Sequence, residues 1–226
     1  MRIAFIPARS GSKGIIGKNL VDLNGFPLIS YSITSALESN AFDKVIVSTD
    51  AEEIADVARS YGADIPYMRP IALATDTAST ESSIVHFIEW SKSTGWLIDD
   101  ITLLQPTSPI RRSSSILSVV DKIGEYDSCF SVSRSHNFFW KCGNPPSANY
   151  NYLNRPRRQD IPENEVSFKE TGSIYSFKSK EFMKVKNRIC GSFTFFETPE
   201  DEQYEIDSVT DLKVVGALLR GFSDDN

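Results

Sequence analysis

Arg9, Lys13 and Lys18 are interleaved with Gly11, Gly14 and Gly17 in the run PARSGSKGIIGKN. Positive side chains therefore stand where the backbone is able to approach a ligand closely and turn its N–H groups toward it. The ligand such a loop suits is a polyphosphate. It is not a Walker A loop: the Gly11 to Gly17 spacing is one residue too long for G-x-x-x-x-G-K, and Lys18 is followed by Asn19 where Ser or Thr would be needed. Taken alone, the stretch is equally an ordinary turn with solvated lysines. Its position favours the ligand, because it follows the apolar run Ile3 to Ile6 and open α/β sheets bind beyond the carboxyl ends of their strands.

Other polar groups follow other expected strands. Arg69, Asp76 and Thr80 precede a helical stretch, and Gln105 supplies a neutral group able to hydrogen-bond a sugar hydroxyl. Glu205 and Asp207 flank Ile206, so an extended chain points both carboxylates to one face. A hard divalent cation bridging phosphates asks for such a pair. In isolation the two acids read as a solvated surface pair, and the polyphosphate loop in the same chain reverses that preference.

The elements that would position these groups alternate. Strands are expected at 3–6, 45–47, 65–68, 101–104 and 129–132, with helices at 27–39, 52–61, 82–92 and 113–125. Pro27 suits a first helical turn, Ser48, Thr49 and Asp50 a polar cap, and Gly62 a helix end. This rhythm predicts a doubly wound, parallel α/β sheet. It breaks at 136–165, a segment rich in Asn, Pro, Tyr and Arg, which reads as a lid or an interaction arm. It resumes with strands at 173–177 and 193–196, a short helix near Phe182 and a final helix at 210–219.

At 226 residues one α/β domain accounts for the whole chain. A net charge of −6 argues against nucleic acid or an anionic membrane as partner. With no apolar run of about 18 residues and no signal-like N-terminus, a cytoplasmic location is the expectation. Cys129, Cys142 and Cys190 are scattered, as reduced structural thiols are, and His86 and His136 are too few for a histidine metal site.

Several ordered blocks resemble the acylneuraminate cytidylyltransferases, enzymes that make CMP-sialic acid, over nearly the whole length. IPARSGSKGIIGKN is similar to the family's nucleotide loop, VSTD and RPIALATDTAST to the next blocks, and LLQPTSPIR to its most specific one; PRRQDIP, ETGSIYSF and EIDSVTDL follow in order. The resemblance implies a Rossmann-like, three-layer nucleotidyltransferase domain over 1–226, mostly parallel in its sheet, with a protruding dimerisation arm at about 136–165. It implies transfer of CMP from CTP to a sialic-acid-like nonulosonic acid, with Mg2+ as cofactor and a homodimer as the assembly. Arg9, Ser12 and Lys13 would hold CTP phosphates, Lys18 the reacting α-phosphate or pyrophosphate, and Asn19 the ribose. Arg69 and the backbone near Ala78 would read cytosine, with Thr80 near the α-phosphate. Gln105 would hold the sugar, Arg158 its carboxylate, and Lys141 would reach a neighbour's sugar site. Asp207 would be a metal ligand, with Glu205 beside it.

The chain departs from the family pattern in two places. Lys169, Glu170 and Thr171 stand where the family has Arg before a Pro-Asn-Gly turn, so Lys169 and Thr171 are expected to present different groups to the sugar. Glu205 replaces the first Asp of an Asp-x-Asp pair. A lysine in place of an arginine also gives up a bidentate contact. Phe195 and Phe196 match a position lining the family's acyl pocket, although a core strand is an equal use for them. Two alternatives stand beside the main reading: a CMP-Kdo-type synthetase, and a non-catalytic nucleotide-binding relative.

Overall fold

The computed structural model describes residues 1–224. In chain order the elements are β1 (Arg2–Pro7), a small antiparallel ladder of β2 (Asp22–Leu23) and β3 (Phe26–Pro27), α1 (Leu28–Glu38), β4 (Lys44–Ser48), α2 (Glu52–Ser60), α3 (Thr80–Ser93), β5 (Asp100–Leu104), α4 (Ser113–Asp121), β6 (Ser128–Ser135), a second ladder of β7 (Trp140–Lys141) and β8 (Ser147–Ala148), β9 (Ser167–Lys178), α5 (Ser179–Val185), β10 (Phe193–Glu197) and α6 (Val209–Asp224). The main sheet has the order β10-β6-β9-β5-β1-β4. β4, β1 and β5 pair in parallel, as do β6 and β10, while β9 runs antiparallel to both β5 and β6. A mostly parallel sheet is thus correct, with one reversed strand at its centre.

Both faces of the sheet are covered, which is why its strands read as continuous apolar runs. Ile3, Ala4, Phe5 and Ile6 of β1 are fully buried. On one face Ala4 and Ile6 pack with Ile29 and Ile33 of α1, Ile54 of α2 and Val119 of α4. On the other, Ile3 and Phe5 pack with Ile84 and Phe87 of α3 and Phe182 of α5. A third cluster bears directly on function: Ile15 of the basic loop, Leu28, Ile110, Ile206 and Val215 of α6 are buried together. Burying an isoleucine stabilises by about 1.5–3 kcal/mol, so Ile15 and Ile206 fasten the cationic loop to the segment that carries Glu205 and Asp207.

Three expectations about elements need correction. Residues 65–68 form no strand: the only pairing there is a single bridge between Asp64 and Ile46. Pro66 lacks the N–H a ladder requires, and Tyr67 instead turns its ring onto His86, Phe87 and Trp90. Asp50 does not cap α2, whose N-cap is Ala51 without a side-chain bond. The strand expected at 173–177 is the second half of β9, which begins at Ser167; its first half, SFKETG, is polar and carried no apolar alternation to reveal it. Between 136 and 165 the chain makes the β7/β8 ladder and three short 3-10 turns. Among the described residues no helix is long and apolar enough to cross a membrane.

Candidate active site

β1 delivers the basic loop to the carboxyl end of the parallel strands. The loop is held by its neighbours before any ligand arrives. Asn19, buried, donates Nδ2 to the Arg9 carbonyl at 2.9 Å. Asp50, at the end of β4, accepts from the Ser10 backbone at 2.8 Å and from its hydroxyl at 2.6 Å. Burial works to raise the Asp50 carboxyl, while those two bonds, its own backbone N–H and the Arg69 charge together hold the group below its usual range. Gly14 packs so closely on the Asp207 carbonyl that a Cβ would come within 2.1 Å of it, and only glycine allows that approach.

One cleft of about 430 Å³ collects most of the expected nucleotide residues. Arg9, Ser12, Lys13, Lys18, Asn19, Arg69, Ala78, Thr80, Gln105 and Asp207 all line it, together with Gly14, Ser79 and Thr107. The cations of the basic loop are engaged by carboxylates. Arg9 Nη1 lies 2.8 Å and Lys13 Nζ 3.5 Å from the Asp76 carboxylate, and the hydrogen bond from Arg9 is the largest influence lowering the Asp76 pKa. Lys18 Nζ donates to Asp207 Oδ1 at 3.0 Å and to the Ile206 carbonyl at 2.9 Å. Arg69 is buried and fixed to β4 through Nε to Ser48 Oγ at 3.1 Å and Nη2 to the Ser48 carbonyl. Desolvation lowers its pKa, opposed by Tyr67 and Asp50.

The acidic segment completes the wall. Ile206 points into the core and its N–H donates to the Thr107 carbonyl at 2.8 Å, so its two acidic neighbours face the other way. Glu205 is half-buried against Gly172, where a Cβ would stand 1.9 Å from Oε1; the positive φ of 69° at Gly172 also favours glycine. Burial, and then the Asp207 charge, push the Glu205 carboxyl up, while Lys169 and Lys18 pull it down. A cation would relieve that repulsion. Among the described residues no group of three or more His, Cys, Asp or Glu is placed to hold a metal. Glu205 and Asp207 are the two acids of this wall that could hold a divalent cation.

The sugar residues inferred by resemblance are less well gathered. β9 bulges against β6 between Phe130 and Val132. Bulges re-aim side chains, and this one turns Thr171 inward: it is fully buried, with its hydroxyl paired to Ser131 Oγ at 2.5 Å, so it does not face a ligand. Lys169 stays exposed, near enough to Glu205 to act on it. Phe195 and Phe196 point to opposite faces. Phe196 packs on the core beside α4, while Phe195 is 45% exposed, its ring 6.3 Å from Phe130 and 4.9 Å from Phe168. Lys141 and Arg158 are exposed in the arm and do not line the cleft.

Sequence reasoning missed Arg111, the last residue of the QPTSPIR run. It is buried, with Nε 2.9 Å from Ser173 Oγ, Nη1 3.0 Å from Ser32 Oγ, and Nη2 2.6 Å from the Gln105 carbonyl and 3.1 Å from that of Ser173. Burial pulls its guanidinium down to about 9, with Glu202 opposing. It ties the Gln105 loop to β9 next to the Gly172 seat of Glu205. An arginine directly after the buried Ile110 that follows a proline-bracketed turn was the available signal.

Known proteins match this arrangement. The family model described as Cytidylyltransferase matches residues 3–214. N-acylneuraminate cytidylyltransferase A of Danio rerio is 38% identical over 220 residues, 93% of this chain and 49% of the relative. CMP-N,N'-diacetyllegionaminic acid synthase of Legionella pneumophila is 43% identical over 122 residues, 54% of this chain and 53% of the relative. The chain thus spans about half the length of these two relatives. Pseudaminic acid cytidylyltransferase of Campylobacter jejuni is 30% identical over 231 residues, covering 96% of both chains. Among solved structures, a CMP:2-keto-3-deoxy-manno-octonic acid synthetase complexed with CTP superposes with a TM-score of 0.68 over 97% of this chain and 98% of the other, at 19% identity, a likeness of fold alone. By the matched span, the identities and the ordered residues of the cleft, the chain belongs to the cytidylyltransferase family.

Proposed function

We propose that this chain transfers the cytidylyl group of CTP to a nonulosonic acid of the sialic-acid type, giving the CMP-sugar and pyrophosphate. The observation that carries the reading is the single cleft in which Arg9, Lys13 and Lys18 face Gln105 and Asp207. The relatives named above act on acylneuraminate, legionaminic and pseudaminic acids, which favours that acceptor class over an octonic acid.

In the reaction, the anomeric oxygen of the sugar acid forms a bond to the α-phosphorus. The bond from that phosphorus to the bridging oxygen of the β-phosphate breaks, pyrophosphate leaves, and the hydroxyl proton passes to water. Arg9 and Lys13 neutralise the departing phosphates, and Lys18, oriented by the Ile206 carbonyl, stands beside them. Arg69 and the backbone at Ala78 hold the base, Asn19 the ribose, and Gln105 orients the acceptor. Asp207 and Glu205 would hold Mg2+, which supplies further neutralisation of phosphate charge. Positioning and fixed charge account for such a transfer without a covalent nucleophile.

A second copy of the chain completes the proposed assembly. Phe139, Trp140, Tyr152 and Leu153 of the arm are exposed, an apolar surface that a partner would cover, and Arg158 and Lys141 would then serve a site formed across two copies. The experiment is pyrophosphate release from CTP with and without magnesium and a nonulosonic acid, for the wild type and Arg9→Ala. Release that needs all three components, lost by at least about a hundredfold in a folded Arg9→Ala, supports the reading. CTP binding without turnover on any acceptor would instead favour a non-catalytic relative.

A further inference from the structure

The ion pairs at the two ends of the basic loop are built differently. Lys18 and Asp207 form a fixed pair: the Lys18 side chain is 11% exposed, its Nζ also donates to the Ile206 carbonyl, and the Asp207 backbone is packed against Gly14. Asp76 belongs to a loose one. Its side chain is half-exposed, in the short connection between a 3-10 turn at Ile71–Leu73 and the start of α3. Oδ1 lies 2.8 Å from Arg9 Nη1 and Oδ2 3.5 Å from Lys13 Nζ. The carboxylate thus gives one oxygen to each cation, as a phosphate group would.

Arg9 and Lys13 line the cleft, so this bridge occupies the donors that a polyphosphate needs. The carboxylate stays ionised there, because the Arg9 hydrogen bond, and then the Lys13 charge, hold its pKa below the ordinary range against a small effect of burial. A phosphate chain arriving at the same two cations meets a like charge a few ångströms away, and the two anions disfavour each other. The connection is able to release the carboxylate without coming apart. Its internal bonds, from the Ala78 N–H to the Thr75 carbonyl at 3.2 Å and between the Thr75 and Thr77 hydroxyls at 3.3 Å, do not involve the Asp76 side chain.

We propose that Asp76 is a built-in stand-in for the pyrophosphate group, exchanging places with the β- and γ-phosphates at Arg9 and Lys13 and reclaiming both cations as pyrophosphate leaves. The inference rests on the cytidylyl transfer proposed above for the identity of those phosphates. It adds to that reading a residue that sets how tightly the cleft retains its inorganic product. Asp76 is a positioning residue, since it touches the two cations and not the reacting atoms.

The test is calorimetric binding of inorganic pyrophosphate and of CMP to the full chain, with no acceptor present. Asp76→Asn removes the competing charge from an exposed side chain, and the dissociation constant for pyrophosphate should fall by about three- to tenfold. CMP carries no β- or γ-phosphate, and its dissociation constant should stay within about 1.5-fold of the wild-type value. The direction separates this role from a structural one, because a disturbed loop would weaken both ligands. Asp76→Glu restores a carboxylate and should return pyrophosphate affinity most of the way to that of the wild type. Pyrophosphate binding that is unchanged or weaker in Asp76→Asn, an equal tightening of CMP, or a wild type that does not bind pyrophosphate overturns the exchange. None of these measurements needs turnover. A chain that shows the expected shifts and yet forms no nucleotide-sugar keeps the exchange at Arg9 and Lys13 and loses only the transferase reading.

Discussion

Replacing Arg111 with Met tests whether the tie between the Gln105 loop and β9 is what holds this end of the cleft together. The guanidinium makes four hydrogen bonds, two to serine hydroxyls and two to backbone carbonyls, with no carboxylate among them. Burying it costs several kcal/mol, and bonds from a charged donor return about 1.5–3 kcal/mol each. In Arg111→Met the serine hydroxyls are free to rotate toward other partners, whereas the carbonyls of Gln105 and Ser173 each give up a charged donor worth about 1.5–3 kcal/mol and keep one backbone N–H, from Ser108 and Gln105 respectively, at 3.2 Å. The expected net loss is about 2–5 kcal/mol, or a fall in Tm of roughly 5–15 °C for a chain of this size. Urea unfolding at pH 7 measures the first and a thermal melt the second. A variant as stable as the wild type would show that an apolar side chain fills the site at no cost, as happens with some buried charges, and would refute the claim that Arg111 fastens these two elements.

Three further outcomes follow from the geometry. Asp76→Asn releases Arg9 and Lys13 from an exposed carboxylate that CTP phosphates must displace, so KM for CTP should fall by about two- to fivefold; steady-state kinetics at saturating acceptor measure it, and a rise would mean that Asp76 helps to hold the nucleotide. Burial pushes the Cys129 and Cys190 thiols up to about 11 while Cys142 is exposed, so a disulfide reagent at pH 8 should titrate one thiol quickly and the other two only on unfolding; two or three fast thiols would contradict this. The Asp127 carboxyl is lowered from its ordinary 3.8 to about 2, first by the Ser192 backbone N–H and then by Lys178. A depressed acid stabilises the fold above its unfolded value and loses that contribution as pH falls through the native one. The urea midpoint should therefore drop between pH 4 and 2 in the wild type and drop less in Asp127→Asn; parallel curves would show that Asp127 contributes nothing to the acid sensitivity.

How much the sequence disclosed follows from how local each signal was. β1, β4 and β5 are apolar runs buried on both faces, and the basic loop is contiguous, so both could be read directly. The first half of β9 could not, because it is polar and its pairing with β6 is a contact across some forty residues. The bulge there turned Thr171 inward, which no local pattern encodes. Asp50 read as a helix cap, since a polar residue after a strand suits either use, and only the fold shows that Ser10 claims it. Arg111 was invisible for the opposite reason: its partners Ser32, Gln105 and Ser173 are brought together only by tertiary packing. Phe195 and Phe196 differ in use because adjacent strand residues face opposite sides of a sheet.

Transfer of CMP to a sugar acid in this cleft is tested most directly by identifying the product by mass. CTP, magnesium and a panel of N-acetylneuraminate, legionaminate, pseudaminate and Kdo should yield a CMP-linked nonulosonic acid and one equivalent of pyrophosphate. A product formed only with Kdo would contradict the acceptor class. No nucleotide-sugar with any member of the panel, from folded protein that binds CTP, would contradict the transfer itself.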